Sequence, residues 1–127
     1  MATILVVDDE PHVTMVMRDI LEIEGYQVVE AHDGPEGLAA LNSSPIDLVI
    51  LDINMPGQDG LDVLAAVRAD PATAERPVIV YTAYSVYTAA LRDGYGPRAD
   101  AAVIKSSDPQ ELLDAVARLL DGTGGER

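Results

Sequence analysis

Five short apolar runs, each followed by a stretch of different periodicity or a turn signal, dominate this sequence. They are Thr3–Val7 (TILVV), Gln27–Ala31 (QVVEA), the run Leu48-Val49-Ile50-Leu51 with Ile53 beyond one acid, 77–82 (PVIVYT) and Ala101–Ile104 (AAVI). Runs this short and rich in β-branched residues read as strands, the central ones buried on both faces. Between them lie amphipathic helices, with Val13, Val16, Met17, Ile20 and Leu21 on one face, then Leu61, Leu64 and Val67. The last helix carries Leu112, Leu113, Val116, Leu119 and Leu120. Pro11 suits a first helical turn and Gly25 a residue just past a helix end. Asp33-Gly34 opens a short helix through Leu41, Asp59 caps the third, Ser85 caps a fourth over 85–92, and Asp108-Pro109-Gln110-Glu111 is a capping box. Strand and helix thus alternate five times, which predicts an α/β fold, (βα)5, with a doubly wound parallel sheet and right-handed crossovers.

At 127 residues the chain suits one domain, expected over 1–121, with 122–127 a flexible tail. It has 8 basic and 22 acidic residues, and a net charge of −14 would repel nucleic-acid phosphates rather than attract them. Cysteine is absent, which excludes disulfides and thiolate zinc sites. No apolar run approaches the ~18 residues of a membrane span, and the N-terminus meets acid too early for a signal peptide. A cytoplasmic domain with no membrane or nucleic-acid partner is the expectation.

In a doubly wound sheet, functional groups gather outside the carboxyl ends of the strands. Here those ends carry Asp8 and Asp9, Asp52, Thr82 and Lys105. Three neighbouring carboxylates repel one another unless a cation sits among them. An all-oxygen donor set suits a hard ion, Mg²⁺ or Mn²⁺. A lysine and a hydroxyl beside them fit the oxygens of a phosphoryl group, with one carboxylate as nucleophile. Asp52, central in the edge, is the best candidate.

The acid pair Asp8-Asp9 after the first run, LDINMPGQDG around Asp52, Thr82 closing the fourth run and Lys105 closing the fifth together resemble a response-regulator receiver domain of two-component signalling. The resemblance covers Ile4 to about Leu120. It implies a flavodoxin-like sheet of strand order 2-1-3-4-5. It also implies that Asp52 accepts a phosphoryl group from a sensor histidine kinase or phosphotransfer protein. Asp8, Asp9, Asp52 and the Asn54 backbone carbonyl would then hold Mg²⁺. Thr82 and Lys105 would contact the phosphoryl group and report it through the face of the fourth helix, fifth strand and fifth helix to a downstream protein. Homodimerisation on phosphorylation is compatible with this picture, and slow loss of the phosphoryl group would be the chain's own limit of catalysis.

Two departures from the family pattern stand out. The position three before the lysine, usually aromatic, is Ala102, so a rotamer switch there cannot operate. Tyr81, Tyr84, Tyr87 and Tyr95 crowd the fourth helix instead, and Tyr84 is the candidate to take over gating. The lysine is followed by Ser106 rather than proline, and the expectation is that the Lys105–Ser106 bond is nevertheless cis. Two other readings remain open at this point: a degenerate receiver that serves only as a docking module, and a Mg²⁺-dependent aspartyl phosphatase. The latter would need an acid at the position of Asn54, whose amide cannot take a proton at neutral pH.

Overall fold

The computed structural model describes residues 1–53, 60–83, 94, 97–105 and 108–124. The elements run β1 (Thr3–Val7), α1 (Pro11–Ile23), β2 (Gln27–Ala31), α2 (Gly34–Ser43), β3 (Leu48–Leu51), α3 (Gly60–Ala69), β4 (Val78–Thr82), β5 (Ala101–Ile104) and α4 (Pro109–Gly124). The strands form one parallel sheet in the order β2-β1-β3-β4-β5, as the family resemblance implies.

Alternation along each strand divides the apolar side chains between two layers. Leu5 and Val7 of β1, Val49 and Leu51 of β3, and Val78 and Val80 of β4 face α2 and α3, meeting Leu41, Val63, Leu64 and Val67. Ile4 and Val6, Leu48 and Ile50, and Ile79 face the other way, against Met17 and Leu21 of α1 and Leu112 and Val116 of α4. Both faces of β1 and β3 are therefore sealed, which explains why these strands are apolar throughout. Each such side chain contributes roughly 1.5–3 kcal/mol by leaving water. β2 lies at the sheet edge and tolerates the exposed Gln27.

Helix ends follow local chemistry. Pro11 stands at the start of α1, where its missing N–H costs nothing. Past the other end, Gly25 adopts φ +96°; its N–H bonds the Glu22 carbonyl and the Tyr26 N–H bonds that of Leu21. That pair of bonds is a Schellman stop, and its left-handed residue favours glycine. Asp33 caps α2 by accepting the Glu36 N–H at 2.8 Å, and the Glu36 carboxylate reaches back to the His32 N–H at 2.7 Å. Asp108 caps α4 through the Gln110 N–H at 2.9 Å.

α4 continues to Gly124, past the Asp121 boundary at which the sequence places the start of a tail. Glycine costs only about 1 kcal/mol inside a helix, and the preceding turns supply carbonyls to extend it. The expected helix over 85–92 and the Asp59 cap lie outside the described residues.

Candidate functional site

The backbone ladder does not stop with the strands. The N–H of Asp8 bonds the Ala31 carbonyl at 3.0 Å, that of Asp52 bonds Val7 at 2.9 Å, and that of Lys105 bonds Thr82 at 2.7 Å. Each of these three residues is thus pinned by one further rung beyond its strand. The rung from Asp52 to Val7 sets Asp52 beside Asp8, and the rung from Lys105 to Thr82 sets the lysine beside β4. Below Asp52, the Gly60 N–H bonds the Ile53 carbonyl at 3.0 Å. A Cβ on Gly60 would run into the Ile53 Cα and the Asp52 carbonyl oxygen, so only glycine lets α3 start this close.

These rungs bring one oxygen each of Asp8, Asp9 and Asp52 within 4.8 Å of one another. Asp8 and Asp52 are 2% and 5% exposed, whereas Asp9 is half-buried. One oxygen of Asp8 accepts the Glu10 N–H at 3.0 Å, which turns the other toward Lys105. The Lys105 ammonium donates to that oxygen at 2.6 Å and to Asp52 at 3.3 Å. Burial alone would lower the pKa of this lysine. The hydrogen bond and charge of Asp8, joined by those of Asp52, outweigh burial and hold it above the usual lysine value. Lys105 is therefore a cation at neutral pH. Among the described residues, one ammonium against three carboxylates still leaves negative charge in a largely buried site. Hard oxygen donors converging in this way fit a divalent cation such as Mg²⁺, and no nitrogen or sulfur ligand competes within the set.

Asp8, Asp9, Asp52 and Lys105 thus meet as the sequence led us to expect. Thr82 is fully buried at the carboxyl end of β4, next to β3. Ala102 is buried on the α2–α3 side of β5, within the apolar layer. Asn54, Tyr84 and the Lys105–Ser106 bond lie outside the described residues. Two contributors escaped the sequence reading. Gly60 looked like an ordinary residue after a cap; its role emerges only when α3 is laid against Asp52. Tyr81 belonged to the noted tyrosine cluster, yet its signal lay in strand alternation: it precedes Thr82 and so faces the opposite layer, where its ring lies 6.0 Å from the Lys105 ammonium.

Comparison with known proteins agrees with this arrangement. The family model for the response regulator receiver domain matches residues 4–117. The nitrate/nitrite response regulator protein NarP of Escherichia coli (strain K12) is 38% identical over 115 residues, covering 89% of this chain and 52% of NarP. This chain accordingly spans about half the length of that curated relative. Among solved structures, response regulator protein TrrA from Thermotoga maritima, in complex with Mg²⁺-BeF, superposes with a TM-score of 0.83 at 40% identity, covering 94% of this chain and 99% of TrrA. TrrA in complex with histidine kinase ThkA gives 0.80 at 39% identity, with 94% and 99% covered. With the family model covering nearly the whole chain and the acid cluster and lysine in place at the sheet edge, this chain belongs to the response regulator receiver domain family, the signalling modules of two-component systems.

Proposed function

We propose that the chain is a phosphorylation-dependent signalling switch, with Asp52 as the acceptor. The observation that carries this reading is the placement of Lys105 across Asp8 and Asp52, at 2.6 and 3.3 Å, in a cluster of three carboxylates. An Asp52 carboxylate oxygen attacks the phosphorus of a phosphohistidine. The P–O bond forms as the P–N bond breaks, and the electron pair leaves with the imidazole, which then takes up a proton. Asp8, Asp9 and Asp52 would hold Mg²⁺, which when bound neutralises charge on the phosphoryl oxygens. Lys105, already charged and half-buried, swings its ammonium from the carboxylates to a phosphoryl oxygen. The buried Thr82 hydroxyl, at the next strand end, offers a second donor. Burial of Asp8 and Asp52 keeps bulk water from competing for these contacts.

The donor is a sensor histidine kinase or phosphotransfer protein, a reading supported by the TrrA–ThkA complex. The phosphorylated state is passed on along the β5–α4 side of the sheet, which Lys105 and Thr82 adjoin. We place the domain in the cytoplasm, where such kinases present their phosphohistidine; no described helix is long and apolar enough to cross a membrane.

The test is intact-mass measurement after incubation with acetyl phosphate, with and without Mg²⁺, beside Asp52→Asn. A single Mg²⁺-dependent phosphoryl adduct, lost in the variant, is expected. An adduct that survives Asp52→Asn, or none in the native chain, would overturn the assignment.

A further inference from the structure

Lys105 is held from two sides. Its ammonium bonds Asp8 and Asp52, while the ring of Tyr81 lies 6.0 Å from that same nitrogen, within the range at which a cation is attracted to an aromatic face. This juxtaposition follows from register. Tyr81 pairs with Val103 and Thr82 with Ile104, and the Lys105 N–H bonds the Thr82 carbonyl, so the lysine leaves the sheet just above Tyr81. Alternation sends Thr82 toward the α2–α3 layer and Tyr81 toward the α1–α4 layer. There both Tyr81 and Lys105 border a recess of about 290 Å³, walled by Val13, Val16, Met17 and Leu112. A lysine on a flexible four-carbon stem, beside a mostly apolar recess, has little else among the described residues on that side to fix its direction. On the other side of β5, Ala102, paired with Val80, is a buried alanine with no ring to offer.

We propose that Tyr81 is a positioning residue for the phosphoryl-acceptor site: its ring is the floor that keeps the Lys105 ammonium aimed at Asp8 and Asp52. The inference rests on the functional reading given above and deepens it. The ring confines the lysine to the side of its carboxylates, so that the ammonium has only a short swing to make when a phosphoryl group arrives on Asp52. The face of the ring does this, not the hydroxyl.

That distinction gives the experiment. Tyr81→Phe keeps the face, whereas Tyr81→Leu keeps apolar volume and removes it. Both are compared with the native chain for the rate of phosphorylation by acetyl phosphate in saturating Mg²⁺, and the Lys105 ε-methylene proton shifts are recorded by NMR. Tyr81→Phe should react within about twofold of the native rate and retain the upfield shift that a ring imposes. Tyr81→Leu should be slower by about three- to tenfold and lose that shift. In a Lys105→Met background, Tyr81→Leu should cause no further loss, because the ring would have no ammonium to hold. A Tyr81→Leu variant as fast as the native chain, or one whose loss is undiminished without Lys105, overturns the inference and leaves Asp52 as acceptor. A native chain that takes no phosphoryl group overturns both the reading and this role, whatever the NMR shifts.

Discussion

The Lys105 ammonium sits closer to Asp8, at 2.6 Å, than to Asp52, at 3.3 Å. Two nearly buried carboxylates share this one cation, so its removal strips both of that compensating charge. Lys105→Met should therefore lower stability without added metal by about 3 kcal/mol. It should also tighten Mg²⁺ binding by about tenfold, since a competing positive charge has gone from the cluster. Mg²⁺ titration followed by melting temperature checks both effects at once. A variant of native stability that binds Mg²⁺ no more tightly would show that the lysine does not compensate these acids.

A second cation organises the opposite end of the sheet. The Arg68 guanidinium donates to the carbonyls of Arg98, Ala74 and Arg76 at 2.8, 2.9 and 2.7 Å, and to the Asp100 carboxylate at 2.8 Å. The same Asp100 oxygen accepts the Val78 N–H at 2.8 Å, tying the end of α3 to the start of β4. A planar fork serves four acceptors in a way an ammonium cannot. Arg68→Ala should cost about 3–4 kcal/mol and Arg68→Lys should recover less than half of that, read from urea midpoints at constant m-value. Acetyl-phosphate labelling of the folded fraction should be unchanged in both.

Arg68 also shows where sequence reading reaches its limit. As a charged residue in the last turn of a helix it looks ordinary, because its partners are carbonyls and an acid that only the folded chain brings near. Thr14 is similar: a threonine among helical apolar positions gives no hint that its hydroxyl, fully buried, lies 2.8 Å from Glu30. Asp8, Asp9, Asp52, Thr82 and Lys105 were legible for the opposite reason. Each terminates a short apolar run or lies within two residues of its end, and a parallel sheet collects such termini along one edge whatever the details of packing. Tyr81 fell between these cases, for its face could be counted off β4 but its distance from Lys105 could not.

Gly60 and Gly25 separate two reasons for a glycine. At Gly60 an added Cβ strikes the backbone of Asp52 and Ile53. Backbone cannot step aside as a side chain can, so Gly60→Ala should cost about 2–3 kcal/mol. Because the carbonyl it displaces belongs to Asp52, phosphoryl acceptance should fall in the same variant. At Gly25 nothing lies within 4 Å, and only the φ of +96° opposes a side chain. Gly25→Ala should cost about 1–2 kcal/mol and leave phosphorylation at its native rate. Thermal melts paired with mass-spectrometric labelling distinguish the two, and equal labelling of both variants would refute the role of Gly60 at the site.

Glu30 provides a test in pH. Its carboxylate accepts the Thr14 hydroxyl at 2.8 Å and Arg18 Nε at 2.6 Å. The Thr14 hydrogen bond, opposed in part by burial and aided by the bond and charge of Arg18, holds its pKa below the ordinary 4.5. A carboxyl group depressed by folding binds protons more tightly in the unfolded chain. Its stabilisation is therefore complete above about pH 4.5 and is lost as pH falls through the lower, folded value. Glu30→Gln should consequently be less stable than the native chain near neutral pH, and the gap should narrow steadily under acid. Thr14→Val should flatten the acid dependence, since the hydrogen bond that does most to lower the carboxyl pKa is then gone. Melting temperatures across this pH range, measured for all three proteins, provide the check. Parallel curves for the native chain and Glu30→Gln would mean that the folded chain leaves this carboxylate as it is in the unfolded one.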